Sequence, residues 1–130
     1  MAIQTRPPRP ELAYERATRA GFDEVAAQLS ELLGRKLVAY IGAVKETRAV
    51  NQWAAGNREP GSETQLRLRL ALQVALMLEA ADGRRVTQAW FQGMNPQLED
   101  RAPARVLRDV PLEDAGPAVL GAARAFLVGG

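Results

Sequence analysis

Polar side chains of the types that recognise DNA bases lie close together in one short stretch of this sequence. The group comprises Lys45, Thr47, Arg48, Asn51, Gln52 and Arg58. In the major groove, arginine pairs well with guanine, and asparagine or glutamine pairs well with adenine. Lysine and arginine at the two ends of the stretch suit backbone phosphates. The chemistry predicted here is DNA recognition, although a helical hairpin with a solvated polar face would look similar.

Two short helices joined by a sharp turn are predicted to position these side chains. The first covers about residues 37–41, and we expect Gly42 to take the positive φ that a tight turn needs. The second covers about residues 47–55 and stops at Gly56. Val50 and Trp53 follow helical spacing and are expected to pack inward, which leaves the polar group on the outer face.

Composition limits the other chemistry open to the chain. Its 130 residues include no histidine and no cysteine, which removes nearly all zinc sites and the usual nucleophile and base pairs. We therefore expect no enzyme activity, no metal and no cofactor. The net charge is only +2, so DNA binding must be local. The first ten residues hold three prolines and predict an extended arm, not a signal peptide, so the expected location is cytoplasmic, away from membranes.

The stretch Leu66-Arg67-Leu68-Arg69-Leu70 alternates like a strand, yet we predict one long helix over residues 62–82. Good helix formers dominate the segment, and Ser62 with Gln65 has capping-box spacing. The leucines of this helix point in several directions. We expect a second subunit to cover them and give a homodimer, and the alternative is that they form the core of a monomer.

Beyond residue 83 the composition predicts a small helical unit. Pro96 and Pro103 fit the first turns of short helices, and an amphipathic helix is expected over about residues 114–127. Core side chains are predicted at Trp90, Phe91, Leu98, Val106 and Leu107. The predicted class is all-α, with a helix-turn-helix bundle at residues 11–83 and a small domain at residues 84–130.

The motifs W-A-x-G-x-x-x-P, W-F-x-x-x-N-P-x-L and P-A-x-V-L-R follow one another in this order. They are carried by Trp53, Gly56, Pro60, Trp90, Asn95, Pro96, Leu98, Pro103, Val106 and Leu107. In this respect the chain resembles the Xre/MbcA/ParS antitoxin family. The resemblance implies a cognate RES-domain toxin that depletes NAD⁺, neutralised by the C-terminal domain, and operator DNA bound by the helix-turn-helix domain as an autorepressor.

Candidate toxin-binding residues lie in the C-terminal domain. They are Arg101, Arg105, Arg124, Phe126, Leu127 and Val128. Arginines suit phosphate or carboxylate partners, and the apolar end before the final glycines could enter a cleft of the toxin. Solubilising charges and a packed helix with a frayed tail are the alternatives. The alternative function is a stand-alone helix-turn-helix transcriptional regulator with no toxin partner. A structural adaptor that no longer reads DNA is a third possibility.

Overall fold

The computed structural model describes residues 10–129, and it is all-α, as predicted. The arm predicted for residues 1–10 lies outside the described residues except for Pro10, which begins the first helix. The helices are α1 (Pro10–Arg19), α2 (Phe22–Leu33), α3 (Arg35–Ile41), α4 (Thr47–Ala54), α5 (Ser62–Gln92), α6 (Pro103–Asp109) and α7 (Leu112–Gly129). A 3₁₀ turn, Pro96–Leu98, precedes α6. Within this range, none of the helices is both long and apolar enough to cross a membrane.

The long helix α5 is the centre of the molecule. It packs against α1 and α2 as well as against α6 and α7. Leu68, Leu72 and Leu78 are fully buried, which confirms the helix over the strand alternative. Because the chain itself covers these leucines, they give no separate argument for a homodimer, which stays a prediction. Near the predicted end of the helix, Gly83 takes a non-helical conformation (φ 85°, ψ 173°) that kinks α5.

Two arginines explain the strand-like alternation inside α5. Residues two apart on a helix point to nearly opposite sides. Arg69 turns towards α1, where its Nη1 donates to the carbonyl oxygens of Ala17 at 3.1 Å and Ala20 at 2.6 Å. Arg67 turns towards α6, where its Nη1 donates to the carbonyl oxygens of Leu107 and Val110. Each guanidinium therefore satisfies carbonyl groups that a helix end leaves unpaired.

The capping box predicted at the start of α5 is wrong. The N-cap residue is Gly61, and its position makes Ser62 the first helical residue. A capping box needs the hydroxyl at the N-cap itself, so Ser62 stands one residue too late to form it. Gln65 instead donates from Nε2 to the carbonyl oxygen of Pro60 at 3.0 Å.

The C-terminal residues form the predicted apolar cluster. Trp90, Phe91, Leu98, Val106 and Leu107 are all buried. The rings of the neighbouring aromatic pair meet edge to face, with centroids 5.2 Å apart. Both predicted prolines stand in the first turn of their helices. This cluster joins the core beneath α1 to α4 through α5, so one continuous apolar interior supports both halves of the chain.

Candidate functional site

Trp53 anchors α4 in the orientation that the sequence predicts. Its side chain is only 2% exposed, and its ring meets Phe22 of α2 edge to face with centroids 6.0 Å apart. Val50, one turn earlier on α4, is fully buried. The inward face of α4 is therefore confirmed, and its packing on α2 and α3 fixes which side chains point outward.

The turn between α3 and α4 corrects the predicted role of Gly42. This glycine has an ordinary φ of −77°, and the positive φ of 57° falls on Ala43. Ala43 and Val44 close the end of α3 by donating from their amides to the carbonyl oxygens of Tyr40 and Ala39. A Cβ on Gly42 would lie 3.2 Å from Cη2 of Trp53. The indole ring therefore packs closely on the backbone at Gly42, which leaves little room for a side chain.

The end of α4 agrees with the prediction. Gly56 takes a φ of +76° immediately after the C-cap residue Ala55. Its amide donates to the carbonyl oxygen of Trp53, and the amide of Asn57 donates to that of Gln52, each at 3.0 Å. These two hydrogen bonds form the Schellman motif. In this motif the residue after the C-cap takes a left-handed backbone conformation, which favours glycine. The C-terminal end of α4 is therefore fixed by these hydrogen bonds.

The outer face of α4 carries the predicted polar group, and two arginines already pair with it. Arg48 and Asn51 are exposed, whereas Gln52 is half-buried. Arg35 of α3 donates from Nη1 to Oδ1 of Asn51 at 3.1 Å, and Arg58 donates to Oε1 of Gln52 at 3.4 Å. These bonds are exposed, so exchanging them for bonds to a ligand costs little.

Arg35 is a member of this face that the sequence analysis missed. It stands at the first residue of α3, 16 positions before Asn51. No local spacing rule joins two residues so far apart, so only the packing of α3 on α4 brings them together. Lys45 and Thr47 line the approach to the start of α4, next to Arg48. The structure thus gathers the whole predicted group, with Arg35 added, on one face.

The three arginines predicted to bind the toxin differ in their exposure and in their polar contacts. Arg101 is half-buried and donates from Nε to the carbonyl oxygen of Leu98 at 3.0 Å, so it braces the turn before α6. Arg105 is exposed and lies 3.9 Å from a carboxylate oxygen of Asp109. Arg124 is exposed on α7. Of these three, Arg105 and Arg124 have guanidinium groups open to a partner.

The end of α7 differs from the tail that the sequence suggests. The helix continues through Gly129, beyond the predicted end at about residue 127. Phe126 is half-buried, and its ring centroid lies 6.5 Å from that of Trp90. Leu127 is half-buried too, whereas Val128 is 90% exposed. The last turn therefore rests on the core through two side chains and presents the third to solvent.

Comparison with known proteins adds a structural neighbour. No protein-family model matches this chain, and no curated protein matches it. One chain of the crystal structure of the M. tuberculosis MbcT-MbcA toxin-antitoxin complex does match, with a TM-score of 0.62 and 25% sequence identity. The match covers 82% of this chain and 96% of that chain. Almost the whole of the neighbour is thus similar to the fold described above.

Proposed function

We propose that this protein is an antitoxin. In this proposal its C-terminal domain neutralises a cognate RES-type toxin that depletes NAD⁺, and its helix-turn-helix domain binds operator DNA and represses its own operon. The observation that carries the proposal is the likeness to a chain of the MbcT-MbcA toxin-antitoxin complex, which extends over 96% of that chain. The likeness supports an antitoxin role. The RES toxin and the operator DNA are proposed from the family resemblance of the sequence motifs.

The last turns of α7 supply the neutralising surface in this proposal. Arg124 and Val128 are both exposed and stand four residues apart, so they lie on one face of the helix. Behind them Phe126 packs on Trp90, which holds the helix end in place. A rigid, exposed apolar side chain next to a guanidinium suits a cleft that binds a phosphate-bearing substrate, because it offers both shape and charge without an ordering cost.

The α4 face supplies the DNA-binding surface. Arg48 and Asn51 are exposed on a helix whose opposite side is anchored by Trp53, so they can approach base edges while the helix stays fixed. A homodimer would pair two such helices across a palindrome and is part of the proposal.

Co-expression with a RES-domain protein encoded beside this chain tests the proposal. The wild-type chain should restore growth of cells that produce the toxin. Val128→Asp should abolish rescue, because it places a charge where the cleft needs an apolar group. Ala118→Asp is the matched control, since it adds the same charge at another exposed position of α7 and should leave rescue intact. No rescue by the wild-type chain, with operator binding retained, would favour the stand-alone regulator instead.

A further inference from the structure

An open pocket lies between α3, the start of α4 and α6, and its lining is strongly basic. Its volume is about 820 Å³. The charged and aromatic members of the lining are Lys36, Tyr40, Lys45, Glu46, Arg48 and Arg108. Among the described residues, the lining therefore holds four cations against one carboxylate. We call this feature the α3-α6 pocket.

Arg108 reaches the pocket from the C-terminal half of the chain. Its guanidinium carbon lies 4.6 Å from the ring centroid of Tyr40 on α3, in a cation-π arrangement. Its Nε lies 3.6 Å from a carboxylate oxygen of Asp109, and the side chain is 37% exposed. The guanidinium is therefore held over the pocket by two neighbours, and part of it faces solvent.

The start of α4 adds unpaired backbone donors to the same pocket. Glu46 is the N-cap of α4, but its side chain makes no capping hydrogen bond. The amides of the first helical turn thus lack the usual side-chain acceptor. An anion is favoured at a helix N-terminus with free donors, and here four cations surround the same place.

We propose that the α3-α6 pocket binds a phosphate of the DNA backbone beside the bases that α4 reads, and that Arg108 clamps this phosphate from the C-terminal half. Arg48 belongs both to the pocket and to the outer face of α4, so the two surfaces are continuous. A phosphate attached to DNA uses this continuity, whereas a free phosphate ion does not. This inference rests on the DNA-binding part of the proposed function.

Fluorescence anisotropy with a labelled 30-base-pair duplex from the promoter of the operon tests the clamp. Binding should be measured between 50 and 200 mM salt for wild type, Arg108→Gln, Arg108→Lys and Arg84→Gln. Each phosphate contact contributes about −0.9 to the slope of the logarithm of the binding constant against the logarithm of the salt concentration. At 0.1 M salt this contribution corresponds to about 8-fold in affinity. We expect Arg108→Gln to weaken DNA binding by about that factor and to make the slope less steep by about 1. Arg108→Lys should keep the slope, because it keeps the charge.

Arg84→Gln is the control. This change also removes one positive charge, but Arg84 is exposed on α5 and is not part of the pocket lining within residues 10–129. Its affinity and slope should equal those of wild type. Thermal unfolding by circular dichroism must show that every variant is folded.

The outcomes separate the inference from the function beneath it. Absence of wild-type binding would refute the DNA-binding function itself. Wild-type binding with an unchanged affinity or slope for Arg108→Gln would overturn the clamp alone. Titration of the protein with inorganic phosphate alone tests the free ion. Phosphate binding that Arg108→Gln abolishes, while the DNA affinity of that variant equals that of wild type, would identify the pocket as a site for the free ion and would overturn the clamp.

Discussion

Replacing Gly42 by alanine should destabilise the protein through the packing of Trp53. The added Cβ would lie 3.2 Å from Cη2 and 3.3 Å from Cζ3 of the indole, and 3.2 Å from the carbonyl oxygen of Val38. The ring is only 2% exposed and packs edge to face on Phe22, so a shift of the ring would disturb that contact. Overpacking of this kind costs about 1 to 3 kcal/mol. The backbone at φ −77° suits alanine, and the less flexible unfolded chain returns about 0.4 to 1 kcal/mol.

The middle values of these two ranges, about 2 and about 0.7 kcal/mol, leave a net loss of about 1.3 kcal/mol in the free energy of unfolding, measured by urea unfolding with circular dichroism. At about 4 °C per kcal/mol for a chain of this size, Tm should fall by roughly 5 °C. Gly121→Ala is the control, because Gly121 lies inside α7 and a Cβ there meets no atom within 4 Å. That variant should gain about 0.5 to 1 kcal/mol. A Gly42→Ala protein as stable as wild type, alongside a stabilised Gly121→Ala, would refute the packing argument.

Two further predictions concern the hydrogen bonds of Arg69 and the outer face of α4. Arg69→Met removes the donors to the carbonyl oxygens of Ala17 and Ala20, so it should lower the free energy of unfolding by about 1 to 3 kcal/mol. Arg84→Met changes an exposed residue and should alter the free energy of unfolding by less than about 0.5 kcal/mol. Equal effects of the two changes would mean that the hydrogen bonds of Arg69 add no stability. Arg48→Ala and Asn51→Ala should each weaken operator binding in gel-shift titrations by about 1 to 3 kcal/mol with unchanged unfolding curves. Unaltered affinity in both folded variants would remove α4 from the DNA interface.

Helix positions and buried faces were predictable from the sequence because they depend on local spacing. The inward face of α4, the glycine stop at Gly56 and the helical state of α5 all follow from periodicity and residue preference, and the structure confirms them. Arg67 and Arg69 were not predictable as braces. Their partners are helix ends 40 or more residues away, so their roles depend on the packing of the chain.

The site was predictable in its residue types and less so in its geometry. Gly42 marks the turn correctly, yet its role is the close approach of Trp53, and the positive φ falls on Ala43. Sequence rules attach positive φ to glycine because it has no Cβ, and they cannot see a ring that packs on the backbone. The position of Arg108 in the C-terminal half did not indicate that its side chain lies over Tyr40 of α3.

Direct measurement of NAD⁺ consumption tests the antitoxin proposal most sharply. The purified RES-domain toxin of the proposed pair would be incubated with NAD⁺ while the purified full-length chain is titrated in. The proposal predicts that NAD⁺ loss stops once the chain reaches a fixed molar ratio to the toxin, and that the Val128→Asp variant requires a much higher concentration. Continued NAD⁺ loss at a large excess of folded wild-type chain would contradict the proposal.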